Sequence, residues 1–206
     1  MFKISRSLLL TACLFAWAIG LPTLAYEYPL SPTAIREAYF LGTGPKGTEG
    51  DLYAPYVHNL PIPEKPPPVS FVTLDTPYLQ IAEHARDTPN YHAQDAEKDF
   101  SGKPMKFEIY SDIYYHPKRP NQPASDGPSH DVRLRMMQHD KEIATWLVQS
   151  WKLNTFRDAA TSAESIGEHL QIECDAEKID ASDLTIEVDT PDGQSVETMF
   201  DLTTIK

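Results

Sequence analysis

The chain has 206 residues, with 30 acidic against 18 basic side chains and a net charge of −12 at neutral pH. So acidic a surface repels nucleic acid and anionic lipid, which leaves dissolved cations, basic proteins and neutral ligands as partners. Two cysteines, one of them inside the first apolar run, do not make a disulfide framework, so stability has to come from burying a core.

Lys3 and Arg6 precede an apolar run from Leu8 to Leu21, Pro22 breaks it, and Thr23-Leu24-Ala25 puts small residues just before Tyr26. That is the three-part pattern of a secretory signal peptide over residues 1–25, cleaved after Ala25. The run is shorter than the ~20 residues a membrane-spanning helix needs. The expected address is therefore periplasmic or extracellular, with no membrane span after cleavage. Losing Lys3 and Arg6 takes the net charge from −12 to −14. Leu10-Thr11-Ala12-Cys13 also has the form of a lipobox, and the alternative is a lipoprotein anchored at Cys13. Only three leucines would precede that cut, and a cysteine within an apolar run is more simply a small hydrophobe.

Residues 26–68 read as an N-terminal helix followed by an extended, proline-rich wrap. Ser31-Pro32 supplies an N-cap and a first-turn proline, Ile35, Ala38, Tyr39 and Leu41 an apolar stripe, and Gly42 a stop. From Gly44-Pro45 to Pro66-Pro67-Pro68 the glycines and prolines preclude regular helix or central strand. Residues 69–206 read as a β-rich domain with one or two short helices at about 77–100. Val69 to Leu74 is its first strand, Thr76-Pro77 caps a helix through Arg86, and a second helix runs from Tyr91 to Phe100.

From Met105 the apolar period becomes two. Met105, Phe107, Ile109, Ile113 and Tyr115 share one face; Tyr110, Asp112, Tyr114 and His116 share the other. Val132, Leu134 and Met136 alternate with Arg133 and Arg135 in the next run. Pairing the two as a hairpin sets Asp112 beside Arg135 and Tyr114 beside Arg133, each contact worth about 0.2–1 kcal/mol. His139 to Glu142 forms a turn, and Ile143 to Leu153, apolar on both faces, reads as a central or doubly covered strand. Thr155 to Gly167 reads as a loop or a helical turn. Cys174 alternates with Leu170 and Ile172 and so belongs to the core instead of acting as a nucleophile. Leu184, Ile186 and Val188, the turn Thr190-Pro191-Asp192-Gly193, and Val196, Thr198, Phe200 and Leu202 make a terminal hairpin. Six or seven such strands predict a mainly β fold: an antiparallel β-sandwich, immunoglobulin-like in general architecture, with N-terminal helical and proline-rich decoration.

No phosphate loop, dinucleotide fingerprint, G-x-S-x-G elbow, H-E-x-x-H or paired C-x-x-C occurs. The sequence therefore argues against an enzyme without excluding one, and it names no catalytic residue, no cofactor and no metal ligand. The seven histidines include no tight ligand pair; His84 and His92 are eight apart. Asp175, Glu177, Asp180 and Asp183 are a candidate calcium cluster, without the glycine and closing glutamate of a known loop. The loop from Pro117 to His130 is long for a hairpin connection and is locally basic. With the strand faces beside it, it gives an expected contact surface of Tyr110, Tyr114, His116, Lys118, Arg119, Arg133 and Arg135, suited to a protein or glycan partner. The functional expectation is a non-catalytic binding or envelope-associated module. The alternatives are a secreted hydrolase acting on envelope or extracellular polymers and an accessory subunit of an envelope assembly, the last requiring an exposed apolar patch.

Overall fold

A computed structural model describes residues 25–45, 53–60, 69–114, 132–155, 164–189 and 195–206. Cys13, His116, Lys118, Arg119, the turn at 190–193 and most of the 155–167 stretch lie outside the described residues. The protein is mainly β, with two antiparallel sheets and three helices.

The helices are α1 (Pro32–Gly42), α2 (Pro77–Asp87) and α3 (Ala93–Phe100). Two begin at the expected caps. Ser31 Oγ accepts the Ala34 N–H at 3.2 Å, and Thr76 Oγ1 accepts the Leu79 N–H at 3.2 Å, each followed by the proline whose missing N–H costs nothing there. At α3 the Asp95 carboxylate reaches back to the His92 N–H at 3.1 Å. Ile35, Ala38, Tyr78, Ile81 and Ala96 pack together as a helical cluster. Gly42 lets α1 and α2 approach closely, since a Cβ built there would lie 1.9 Å from the Ala82 carbonyl oxygen.

The larger sheet contains β1 (Val57–Asn59), β2 (Val69–Asp75), β3 (Lys106–Tyr114), β6 (Trp146–Thr155) and β7 (Glu164–Asp175), in the order β1-β2-β3-β7-β6. The smaller sheet contains β4 (Arg133–Gln138), β5 (Lys141–Ile143), β8 (Asp183–Asp189) and β9 (Ser195–Asp201), in the order β5-β4-β8-β9. Apolar residues of both sheets belong to one core: Leu74, Phe107, Ile109 and Ile172 from the larger, Met136, Leu184, Ile186 and Phe200 from the smaller. Cys174 is buried among them, as its alternation predicts, and burial pushes its thiol up to about 12. Tyr26 joins this core. Its N–H donates to the Leu202 carbonyl at 2.8 Å, its hydroxyl donates to the Ala176 carbonyl at 3.0 Å, and its ring meets Phe107 edge-on.

The terminal hairpin forms as expected, with Asp189 opposite Ser195 and Leu184 opposite Phe200. The expected β3–β4 hairpin does not form. β3 lies between β2 and β7, and β4 lies between β5 and β8 in the other sheet. Asp112 stands opposite His169, and Arg135 opposite Glu187. Alternation specifies which face of a strand is buried and leaves its neighbour open, and Arg135 finds its acidic partners equally well on β8. The expected strand from Ile143 to Leu153 is divided between the sheets. β5 ends at Ile143 after a tight turn in which His139 and Asp140 have φ of 53° and 58°, and β6 begins at Trp146 in the larger sheet. Among the described residues β6 is an edge strand and not a central one. Residues 164–167, read from sequence as loop or helical turn, are the start of β7. Among the described residues no helix is long and apolar enough to cross a membrane.

Candidate functional site

Phe107, Ile109 and Ile113 of β3 face the core, so Glu108, Tyr110 and Asp112 face the other way. Pairing carries that polar face across the sheet in three rows: Glu108–Glu173–Trp146, Tyr110–Gln171–Gln149 and Asp112–His169–Trp151. Trp146 and Trp151 are five residues apart, and in a regular strand they would point to opposite faces. A register shift between Leu147 and Gln149 inserts one residue on β6, and this bulge brings both indoles to the same face.

Side-chain contacts follow the rows. His169 Nδ1 lies 2.6 Å from Asp112 Oδ1, and the Trp151 indole stacks on the imidazole with centroids 3.8 Å apart and planes 12° from parallel. The Asp112 carboxylate thus fixes the imidazole with Nδ1 as donor. His169 Nε2 is buried and meets no hydrogen-bond partner among the described residues. In the next row Gln171 Nε2 donates to Glu108 at 2.7 Å, and the Tyr110 hydroxyl donates to the same carboxylate at 2.7 Å. In the third, Trp146 Nε1–H donates to Glu173 at 2.5 Å while the Lys106 ammonium sits 4.3 Å from the indole centroid.

At the β2 end of this face Asp75 is buried, its Oδ2 3.4 Å from the Tyr110 hydroxyl and its Oδ1 without a partner among the described residues. Burial, with the charges of Glu83 and Glu108 adding to it, pushes the Asp75 carboxyl up to about 8. The Tyr110 hydroxyl is held far above its ordinary value, chiefly by burial and then by its bond to Glu108.

The β6 margin of the sheet is apolar and open. Trp146 is 38% exposed, Leu147 59%, Val148 47% and Trp151 44%. Behind it, Leu147 joins Val132, Leu134, Leu170 and Ile172 in lining a cleft of about 330 Å³ between β4 and the β6–β7 pair.

The expected contact residues are divided between the sheets. Tyr110 lies on the polar face, and Tyr114 stands opposite Gly167 at the end of β3. Arg133 and Arg135 lie on the smaller sheet, Arg133 with Glu142 at 3.2 Å and Arg135 with Glu187 at 2.9 Å and Asp189 at 3.1 Å. The acidic cluster does not converge: Asp175 pairs with Lys106 and Lys178, whereas Asp180 bonds His139. Among the described residues no three His, Cys, Asp or Glu side chains are grouped to hold a metal. Ser182 and Asp180 both approach His139 at the same nitrogen, Nε2, at 3.3 and 2.6 Å, so they do not form a nucleophile–base–acid relay. A shallow cleft of about 410 Å³ lies beside that turn.

Trp146, Trp151, His169 and Asp112 were not assembled by sequence reasoning. The odd spacing of the tryptophans conceals their common face, and only the β3–β7 register joins His169 to Asp112. Comparison with family models, with curated proteins and with solved structures gives no match.

Proposed function

We propose that the protein is an exported, non-catalytic binding module: a β-sandwich with a helical layer that holds its partner along β6. One observation carries this reading. Among the described residues β6 is an edge strand, and it leaves Trp146 and Trp151 exposed on the polar face, Leu147 exposed on the opposite side and Val148 exposed at the bulge between them. Edge strands in monomers are ordinarily short or guarded by charge, and contiguous exposed apolar surface marks interaction sites. The same patch suits the accessory-subunit reading, because it is the feature that reading requires. Export is supported by the signal-like first 25 residues and by Tyr26, which sits in the core directly after the expected cleavage point. The packing of both sheets on one core supports the sandwich.

A hydrolase reading has one observation in its favour, the His169–Asp112 pair at 2.6 Å. It is the weaker reading, because the pair lies on a sheet face with its second nitrogen buried, away from both clefts.

The test is fractionation in the native host. Wild-type protein is expected to sediment with cell-surface or envelope material. The triple variant Leu147→Ser, Val148→Ser, Trp151→Ala should move several-fold into the soluble fraction with unchanged circular dichroism. Identical distribution of the two proteins would overturn the assignment of β6 as the contact strand.

A further inference from the structure

The polar face beside β6 has the chemistry of a particular ligand. We propose that it binds a neutral oligosaccharide, seated against the solvent side of Trp151 and hydrogen-bonded by the carboxylates and amides that lie between the two indoles. The proposal rests on the binding-module reading and gives its ligand a chemical class.

The argument begins with the bulge. It places Trp146 opposite Glu173 and Trp151 opposite His169, four residues apart on β7, or about 13 Å along the strand. Two indoles at that separation flank a strip of polar side chains long enough for several linked rings. Trp151 is fixed in orientation by the imidazole stacked on one of its faces, yet it remains 44% exposed. A rigid aromatic plane with one side in solvent accepts the C–H side of a sugar ring at little cost in side-chain entropy.

Between the indoles the polar groups are planar carboxylates and amides, among them Glu108, Gln149 and Gln171. These match pairs of neighbouring hydroxyls, each of which both donates and accepts.

Charge decides which sugars fit. The face carries Glu108, Asp112 and Glu173 against Lys106, on a chain of net charge −12. Uronic, sialylated or phosphorylated glycans meet repulsion there. An extended peptide would use the main-chain groups of the β6 edge, whereas the groups described here lie on the sheet face.

The experiment is titration of the mature protein with neutral cello-, malto-, manno- and chito-oligosaccharides. Binding would be followed by tryptophan fluorescence and by ¹H–¹⁵N NMR. The chain's three tryptophans are Trp17, Trp146 and Trp151, so after cleavage at Ala25 the fluorescence reports only on this face. The expected result is saturable binding of one of these series. Trp151→Ala should weaken it at least about tenfold, or about 1.4 kcal/mol, and Trp151→Phe should restore most of it. His169→Gln, which keeps a polar planar group without the ring stack, should also weaken it. Binding that ignores both Trp151→Ala and His169→Gln would overturn the site. Absence of binding to any neutral oligosaccharide at millimolar concentration would overturn the ligand class. If wild-type protein is still retained on cell-surface material in that case, the binding module stands and its partner is not a neutral glycan.

Discussion

Asp75 shows how much one residue's chemistry depends on neighbours that meet only after folding. Its carboxyl is pushed from an ordinary 3.8 up to about 8, by burial first and then by Glu83 and Glu108. Folded protein therefore keeps the Asp75 proton between about pH 4 and 8 while unfolded chain releases it. In that window the native state binds more protons, so this residue's contribution to stability falls as pH rises and levels off above about 8. Asp75→Asn removes the titrating group. Its melting temperature relative to wild type is expected to rise steadily from pH 4 to pH 8, the cumulative effect being of the order of a few kcal/mol. Differential scanning calorimetry across that range checks this, and a wild-type-to-variant gap independent of pH would contradict it. Nothing adjacent to Asp75 in sequence announces this behaviour, because its burial arises on folding and the two carboxylates that add to it come from α2 and β3. Cys174 is the contrasting case. Its place in the alternation Leu170, Ile172, Cys174 is sufficient to put it in the core.

Elements were legible where the signal is local. The Ser31-Pro32 and Thr76-Pro77 caps mark helix starts that the structure reproduces, since an N-cap hydroxyl and a first-turn proline act within a few residues. The β8–β9 hairpin follows from two alternating runs joined by a turn. β6 was not legible. Its apolar residues on both faces describe equally a strand covered on both sides and an edge strand exposed for a partner. A bulge that adds one residue also leaves no mark in the sequence pattern. The hairpin expected between β3 and β4 failed for a related reason: the charge of Arg135 can be answered by any acidic strand, and Glu187 and Asp189 answer it. At this scale the packing of α1 on α2 is sensitive to a single substitution. Gly42→Ala puts a methyl group 1.9 Å from the Ala82 carbonyl oxygen, so the helices must separate. The expected cost is about 1–3 kcal/mol, read as a fall of about 2–4 °C in melting temperature per kcal/mol. An unchanged melting temperature would show that the two helices do not pack as described.

Across the whole molecule, two sheets share one core and the larger ends in an apolar edge. The margin of β6 and the polar face beside it hold Trp146, Leu147, Val148 and Trp151, all of them exposed. Of the expected contact residues, Lys118 and Arg119 lie outside the described residues, and Arg133 and Arg135 are engaged by acidic neighbours on the smaller sheet. The most direct measurement is hydrogen–deuterium exchange on the purified mature protein, alone and with cell-surface material from its host. New protection confined to residues 146–155 and 167–173, with the smaller sheet unchanged, is the predicted result. Protection on β4, β5 or β9 while β6 exchanges as before would contradict the account.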